Sequence, residues 1–416
     1  MTVVEITARV RVGSGVEQLV RHPRLPLVAG VDAERPAVHL WDCEELRDLG
    51  TVGGDSEVYG DASVLERARR KPVVTWHPEE PLLVVSGSGP VVGWTPEGQS
   101  ELGDLLPGQG GDLLAFSPDG RALWASPSSD GADDAWERSD AVDLASRTIG
   151  AGPRWDTGIA AHPGGGLVAT LNSDQGGTLV AFARVDQECV PTTMRVLRRA
   201  LILDADCYET PIFSPDGRYL AIRGNAYGNS LAVFEFPSLE RVLETTLGEP
   251  APGDHYSPEW IAQMRSWSRH NIAFGARPGT LWIGTPTGTL VEVDLHARSA
   301  VEHDVIGSRV TALTTTATGE LVVATAEGDL VLVSVAADAT EVVLPEADSL
   351  RASVTAFLDS TEDAPADSDL ETYAYLTDGQ RNWEPEDLAA VTTATSADPS
   401  WLQLQAAHNN ARDQDE

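Results

Sequence analysis

Apolar positions in this chain come in short alternating runs, and the runs come in pairs around tight turns. Residues 113–126 read LLAFSPDGRALWAS, with Leu114 and Phe116 alternating before the turn and Ala122 and Trp124 after it. Alternation with a period of two marks a strand with one buried face. Between the runs, Pro118 stands second in Ser-Pro-Asp-Gly, where its fixed φ pre-forms a type I turn that Gly120 closes at the fourth position. The predicted unit is strand, tight turn, strand.

The string Phe-Ser-Pro-Asp-Gly-Arg returns at Phe213, 97 residues after Phe116 (213 − 116), and a repeated six-residue string points to a repeated structural unit. With this hairpin as template the chain yields a series. LVRHPRLPLVAGV turns at His22-Pro23, VTWHPEEPLLVVS at His77-Pro78 and IAAHPGGGLVATL at His162-Pro163. NIAFGARPGTLWIGT and VTALTTTATGELVVAT are looser members. A third strand follows most hairpins, as in PAVHLWD, GTLVAFAR and GTLVEVDL, and a weaker fourth completes the unit. Seven repeats begin near residues 14, 72, 112, 157, 210, 270 and 309. Units of about 40 to 60 residues with four strands are propeller blades, which leave only short, protected sheet edges.

On these motifs the sequence resembles the WD-repeat (WD40-like) β-propeller family in its divergent bacterial form, over roughly residues 10 to 345. The two FSPDGR strings and VHLWD, whose Trp41-Asp42 matches the family's third-strand ending, carry the resemblance; the Gly-His dipeptide that opens a WD repeat is absent throughout. The resemblance implies an all-β propeller. SVTAFLDS (353–360) echoes RVTALTTT (309–316), and TYAYLTDGQRNWEPED reads as a second hairpin ending at Trp383. EVVLP offers blade seven a fourth strand, so eight blades are expected, with seven plus a C-terminal tail as the alternative. The organisation expected is residues 1–345 for blades one to seven with an N-terminal closing strand, 346–385 for a degenerate eighth blade, and 386–416 for an acidic tail with a short helix.

Composition narrows the function. A chain of 416 residues with 42% hydrophobic content can bury a large core, and Gly (38) and Pro (26) suit many turns. Lys71 is the sole lysine among 29 basic residues, a usage that suggests a GC-rich bacterial genome. The net charge of −35 opposes nucleic acid and anionic membranes, both of which select clustered Lys/Arg. Cys43, Cys189 and Cys207 lack paired spacing, which fits a reducing cytosol. No run of about eighteen apolar residues and no signal-peptide core is present, so a cytoplasmic location is expected.

Catalytic signatures are missing. Gly-x-Ser-x-Gly is absent, and His22, His77 and His162 each precede a proline where Ser117 and Ser214 stand in the other repeats, so they read as turn residues rather than a metal triad. Asp204, Asp206 and Glu209 lack the glycine and third acid of a calcium loop. No catalytic residue, metal or cofactor is nominated. Two segments outside the blades are more informative. In HYSPEWIAQMRSWSRHN, Ser257 caps a helix with Pro258 at its first position, and Trp260, Met264 and Trp267 fall at i, i+4 and i+7. Near the C-terminus, Asp398 and Pro399 start a second helix that puts Trp401, Leu404 and His408 along one face. Trp260, Met264, Trp267, Trp401 and Leu404 are therefore the candidate partner-binding residues. The function expected is a non-enzymatic scaffold or regulatory subunit that binds one or more proteins; the alternatives are a propeller hydrolase or lactonase and a small-ligand or sugar sensor.

Overall fold

Six of the seven sequence repeats each supply four antiparallel strands of a separate sheet, and the seventh supplies three strands that a strand from the start of the chain completes. The computed structural model describes residues 2–415 other than 88, 104, 107–112, 129–134, 175–176, 205–207, 225–227, 254–255, 337–345 and 366–369. The blades span residues 16–52, 73–101, 113–153, 160–203, 212–246, 272–303 and 310–336, numbered 1 to 7 in that order. Strands follow chain order within blades 1 to 6, and the seven ladders are separate rather than one continuous barrel. The chain divides into two compact units. The first comprises Met1–Arg154, Gln187–Thr193 and Pro252–Leu344 and holds blades 1, 2, 3, 6 and 7; the second comprises Trp155–Asp186, Met194–Ala251 and Pro345–Glu416 and holds blades 4 and 5.

Within each unit the core lies between neighbouring blades. Val38 and Leu40 of blade 1 meet Trp76, Leu83 and Trp94 of blade 2, while Leu171 and Phe182 of blade 4 meet Leu220 and Phe234 of blade 5. The FSPDGR turns close as their sequence requires: the Gly120 amide donates to the Ser117 carbonyl at 2.8 Å and the Gly217 amide to the Ser214 carbonyl at 2.9 Å. Gly120 and Gly217 have φ of +70° and +65°, a region that side-chain-bearing residues enter at a cost.

The turn histidines tie one blade to the next. His22 Nδ1 accepts the Arg24 and Leu25 amides, and its Nε2 donates to the Glu80 carbonyl at 2.9 Å. His77 repeats this arrangement towards the Gly120 carbonyl at 3.1 Å, and His162 towards the Gly217 carbonyl at 3.0 Å. Where the turn carries serine, Ser117 and Ser214 instead donate to Asp119 and Asp216 inside their own turns.

The strand Val3–Arg11 supplies the outer strand of blade 7, pairing antiparallel with Asp329–Ala336. Arg9 and Arg11 bond Asp329, and Thr2 donates to Glu292 Oε1 at 3.0 Å, a buried carboxylate that also holds Arg277 and His303.

Among the described residues there are seven blades, not the eight expected. Residues read as strands of an eighth blade form a helix, because Leu350, Val354 and Phe357 recur with helical spacing across a window wider than SVTAFLDS. Six α-helices are described: α1 (Val64–Arg70), α2 (Pro258–Ser266), α3 (Ala347–Asp359), α4 (Leu370–Tyr373), α5 (Pro385–Ala390) and α6 (Ser400–Asp415). Phe357 of α3 is fully buried, 5.0 Å from the Phe182 ring and 5.1 Å from the Phe236 ring, so the helix seals blades 4 and 5. The expected second hairpin exists at Tyr375–Thr377 and Asn382–Trp383, but it adds to the outer edge of blade 4 through a parallel pairing of Ala200 with Leu376. EVVLP lies outside the described residues, and the N-terminal strand takes the outer place in blade 7 that EVVLP was expected to fill instead of closing an eighth blade.

Candidate functional site

Two segments leave the blade pattern in the first unit, and both border one cleft. The first is built around α1. Ser63 and Glu66 form a capping box: the Ser63 hydroxyl accepts the Glu66 amide, and Glu66 accepts the Ser63 amide at 2.8 Å. Arg67, Arg69 and Arg70 fill the last turn, where cations meet the negative end of the helix dipole. No residue of α1 is buried; Val64 is 88% exposed and Leu65 61%. What holds the segment is Tyr59, buried beneath the Arg67 and Arg70 guanidinium groups at 5.3 Å each. Burial, then the Glu17 carboxylate, pushes the Tyr59 phenol up to about 12.

The second segment is α2. Ser257 accepts the Trp260 amide at 3.1 Å, and Pro258 occupies the first turn, as the sequence indicated. The helix ends earlier than a continuous stripe needs. Trp267 is its C-cap, with extended φ of −76° and ψ of 133°, and so leaves the helical face. Beyond it, the Ser268 hydroxyl donates to the Thr311 carbonyl and the Leu313 amide to the His270 carbonyl at 2.8 Å, pinning the segment to blade 7.

The cleft encloses about 630 Å³ and is lined by α1, residues 265–270 and the starts of the first strands of blades 1 and 7. A first-strand start and a second-to-third-strand turn lie at the same end of an antiparallel sheet, which is why Glu34 and Ala326 join the same wall. Arg67, Lys71, Arg265, Arg269 and Arg309 reach it. Glu17 pairs with Arg67 and, at 3.1 Å, with Lys71.

The sequence-derived residues separate in the structure. Trp267 lines the cleft and is half-buried, as is Met264. Trp260 is buried, with Tyr256 4.9 Å away. In the second unit, Trp401 packs edge-on against Trp383 at 4.9 Å inside the cluster formed by blade 4 and the C-terminal helices. Leu404, on the same helix as Trp401, is 51% exposed. The face of α6 turned inward carries Trp401, Leu402, Ala406 and Asn409 rather than Trp401, Leu404 and His408. The α1 wall was missed by sequence reasoning, although Ser63-x-x-Glu66 ahead of a basic run was its signal.

Ser14, Asp32 and His39 come together, but Ser14 donates to Asp32 Oδ2 at 2.6 Å and His39 Nε2 meets that same oxygen at 2.9 Å. No imidazole reaches the serine there, so the arrangement fixes a loop and activates no nucleophile. Burial acts to raise the Asp32 pKa, and the hydrogen bonds from His39 and Ser14 outweigh it, holding the carboxyl below its ordinary range. Burial pushes the Cys43 thiol up to about 12. Among the described residues no group of three or more His, Cys, Asp or Glu is placed to hold a metal; Asp206 and Cys207 lie outside them, and Asp204 accepts the Ser400 amide at the start of α6. A larger cavity of about 770 Å³ lies in the second unit. Its charges answer one another: Arg241 pairs with Glu244 at 2.8 Å, Arg381 with Asp378 at 3.6 Å, and Asp398 accepts the Thr395 amide and hydroxyl.

No family model matches the sequence, and no curated protein sequence matches it either. Among solved structures the chain is similar to the β-propeller domain of Cps50 (Swd1) from Myceliophteria thermophila, with a TM-score of 0.52 and 12% identity, covering 80% of this chain and 100% of that one. At that identity the likeness speaks to fold alone, and the fold is a β-propeller. No helix among the described residues is long and apolar enough to cross a membrane.

Proposed function

We propose that this chain is a non-enzymatic protein-interaction scaffold and that a partner docks in the cleft between α1 and the end of α2. One observation carries the reading: α1 borders a cleft of about 630 Å³ yet buries none of its own residues. A helix that adds no core survives on caps and charge, and here it presents Val64 and Leu65 to solvent. Of the ten large apolar side chains most exposed in the described chain, Val58, Val64, Leu65 and Tyr256 fall in these two segments, a concentration rather than a scatter. Trp267 belongs to the docking surface; Met264 is half-buried on the adjoining helix outside the cleft lining, and Trp260 is buried. Leu404 is a separate exposed apolar residue, and Trp401 holds the helix that carries it. The charge of −35 favours a protein partner over nucleic acid or an anionic membrane.

The test is affinity purification from the native cell with the wild-type chain and with Val64→Glu/Leu65→Glu. The expected result is loss of a specific co-purifying protein with an unchanged melting curve. Equal recovery of every co-purifying protein by both chains overturns the assignment of the site.

A further inference from the structure

If a partner docks in this cleft, the charge of the cleft restricts what it can be. The whole chain carries 64 acidic against 29 basic residues. The cleft reverses the balance, with five basic side chains on its wall against two acidic ones, Glu17 and Glu34. Glu17 is already committed to Arg67 and Lys71. Arg265 and Arg309 are exposed, and among the described residues neither has a carboxylate partner. Guanidinium groups held at a cleft beside exposed apolar side chains suit a ligand that brings both carboxylates and an apolar anchor.

Size and field restrict the ligand further. A volume of about 630 Å³ falls within the ~300–1,000 Å³ range of sites that enclose a small ligand or a short segment. A long polyanion leaving the cleft would cross a surface that is acidic overall. A short acidic segment keeps its charges within a Debye length of Arg265 and Arg309, about 8 Å at physiological salt. We infer that the cleft receives a short Asp/Glu-rich segment of a partner protein, its carboxylates paired with Arg265 and Arg309 and an apolar side chain set against Val64 and Trp267.

The test uses the full-length chain and two labelled peptides read by fluorescence anisotropy. One is Glu-Asp-Leu-Glu-Asp-Glu; the other is its neutral counterpart, Gln-Asn-Leu-Gln-Asn-Gln. The acidic peptide is expected to bind at least about tenfold more tightly than the neutral one and to weaken as salt rises. Arg265→Ser/Arg309→Ser is expected to weaken it by about tenfold or more. Arg24→Ser/Arg121→Ser, which removes the same charge outside the cleft, should leave binding within about twofold of wild type, since exposed charges beyond a Debye length are screened. Both replaced arginines are exposed, so melting should not change, and a variant that melts early is replaced by Arg265→Gln/Arg309→Gln. Equal binding of the two peptides, or equal loss in the cleft and control variants, overturns the inference. So does concentration-dependent self-association that the cleft variant abolishes, since the occupant would then be a second copy of this chain. If no acidic peptide binds while Val64→Glu/Leu65→Glu still loses its cellular partner, the acidic segment is wrong and the docking site stands; if that partner is retained, the docking site itself has failed.

Discussion

His162 donates its Nε2 proton to the Gly217 carbonyl 3.0 Å away while its Nδ1 accepts the Gly164 amide at 3.0 Å. Both bonds require the neutral ring, since a protonated Nδ1 would face a backbone donor. Burial lowers the His162 pKa to about 4, and it lowers that of His22 as well. The unfolded chain therefore takes up a proton that the folded blade refuses.

Stability should fall accordingly in acid. The contribution of His162 is fully present above pH 6.5, is lost as pH falls from 6.5 towards 4, and is gone below that. A change of this size corresponds to about 3 kcal/mol. Urea unfolding of wild type and His162→Gln between pH 7.5 and 4 reads it, with the gap between the two proteins expected to close as the pH drops. A gap independent of pH would remove the titration from the account.

The receiving turns should be intolerant of side chains. A Cβ at Gly120 would lie 2.3 Å from His77 Nε2, and one at Gly217 would lie 2.7 Å from the His162 ring, both on backbone with positive φ. Gly120→Val and Gly217→Val should each lose about 1–3 kcal/mol from backbone strain, and more from the clash. Melting temperature measures the loss.

Deleting residues 1–12 should leave blade 7 with three strands and an open edge. Val4 and Ile6 pack against the core of blades 6 and 7, so apolar cover goes as well as the ladder. Aggregation or early unfolding is expected in gel filtration and melting; a monomer melting like the full chain would show that the strand is dispensable.

Trp260 and Trp267 should behave oppositely although they flank one helix. Trp260 is buried, and Trp260→Ala should cost about 3–5 kcal/mol. Trp267→Ala removes a half-buried side chain at the cleft and should leave most of the stability while weakening docking. Melting curves and partner recovery on the two single variants separate the roles.

The strands and turns were legible because their signals are local: alternation around Ser-Pro-Asp-Gly needs no knowledge of the rest of the chain. The cap at Ser257-Pro258 was legible for the same reason. Leu350–Phe357 misled because Val354, Ala356 and Leu358 also alternate, and only the wider helical spacing decides between the two periods. The reach of each turn histidine to the next blade left no trace, since its partner is a backbone carbonyl that any residue supplies. The cleft was hidden by distance along the chain: Glu17, Arg67, Arg265 and Arg309 meet only once blades 1, 6 and 7 are folded.

The most direct measurement places a photo-cross-linking phenylalanine analogue at Trp267 or Val64, and at Val301 on the exposed outer strand of blade 6 as a control, in the native cell. Docking in the cleft predicts one discrete adduct shared by positions 267 and 64 and absent at 301. Adducts equal at all three positions, or present at 301 alone, would contradict it.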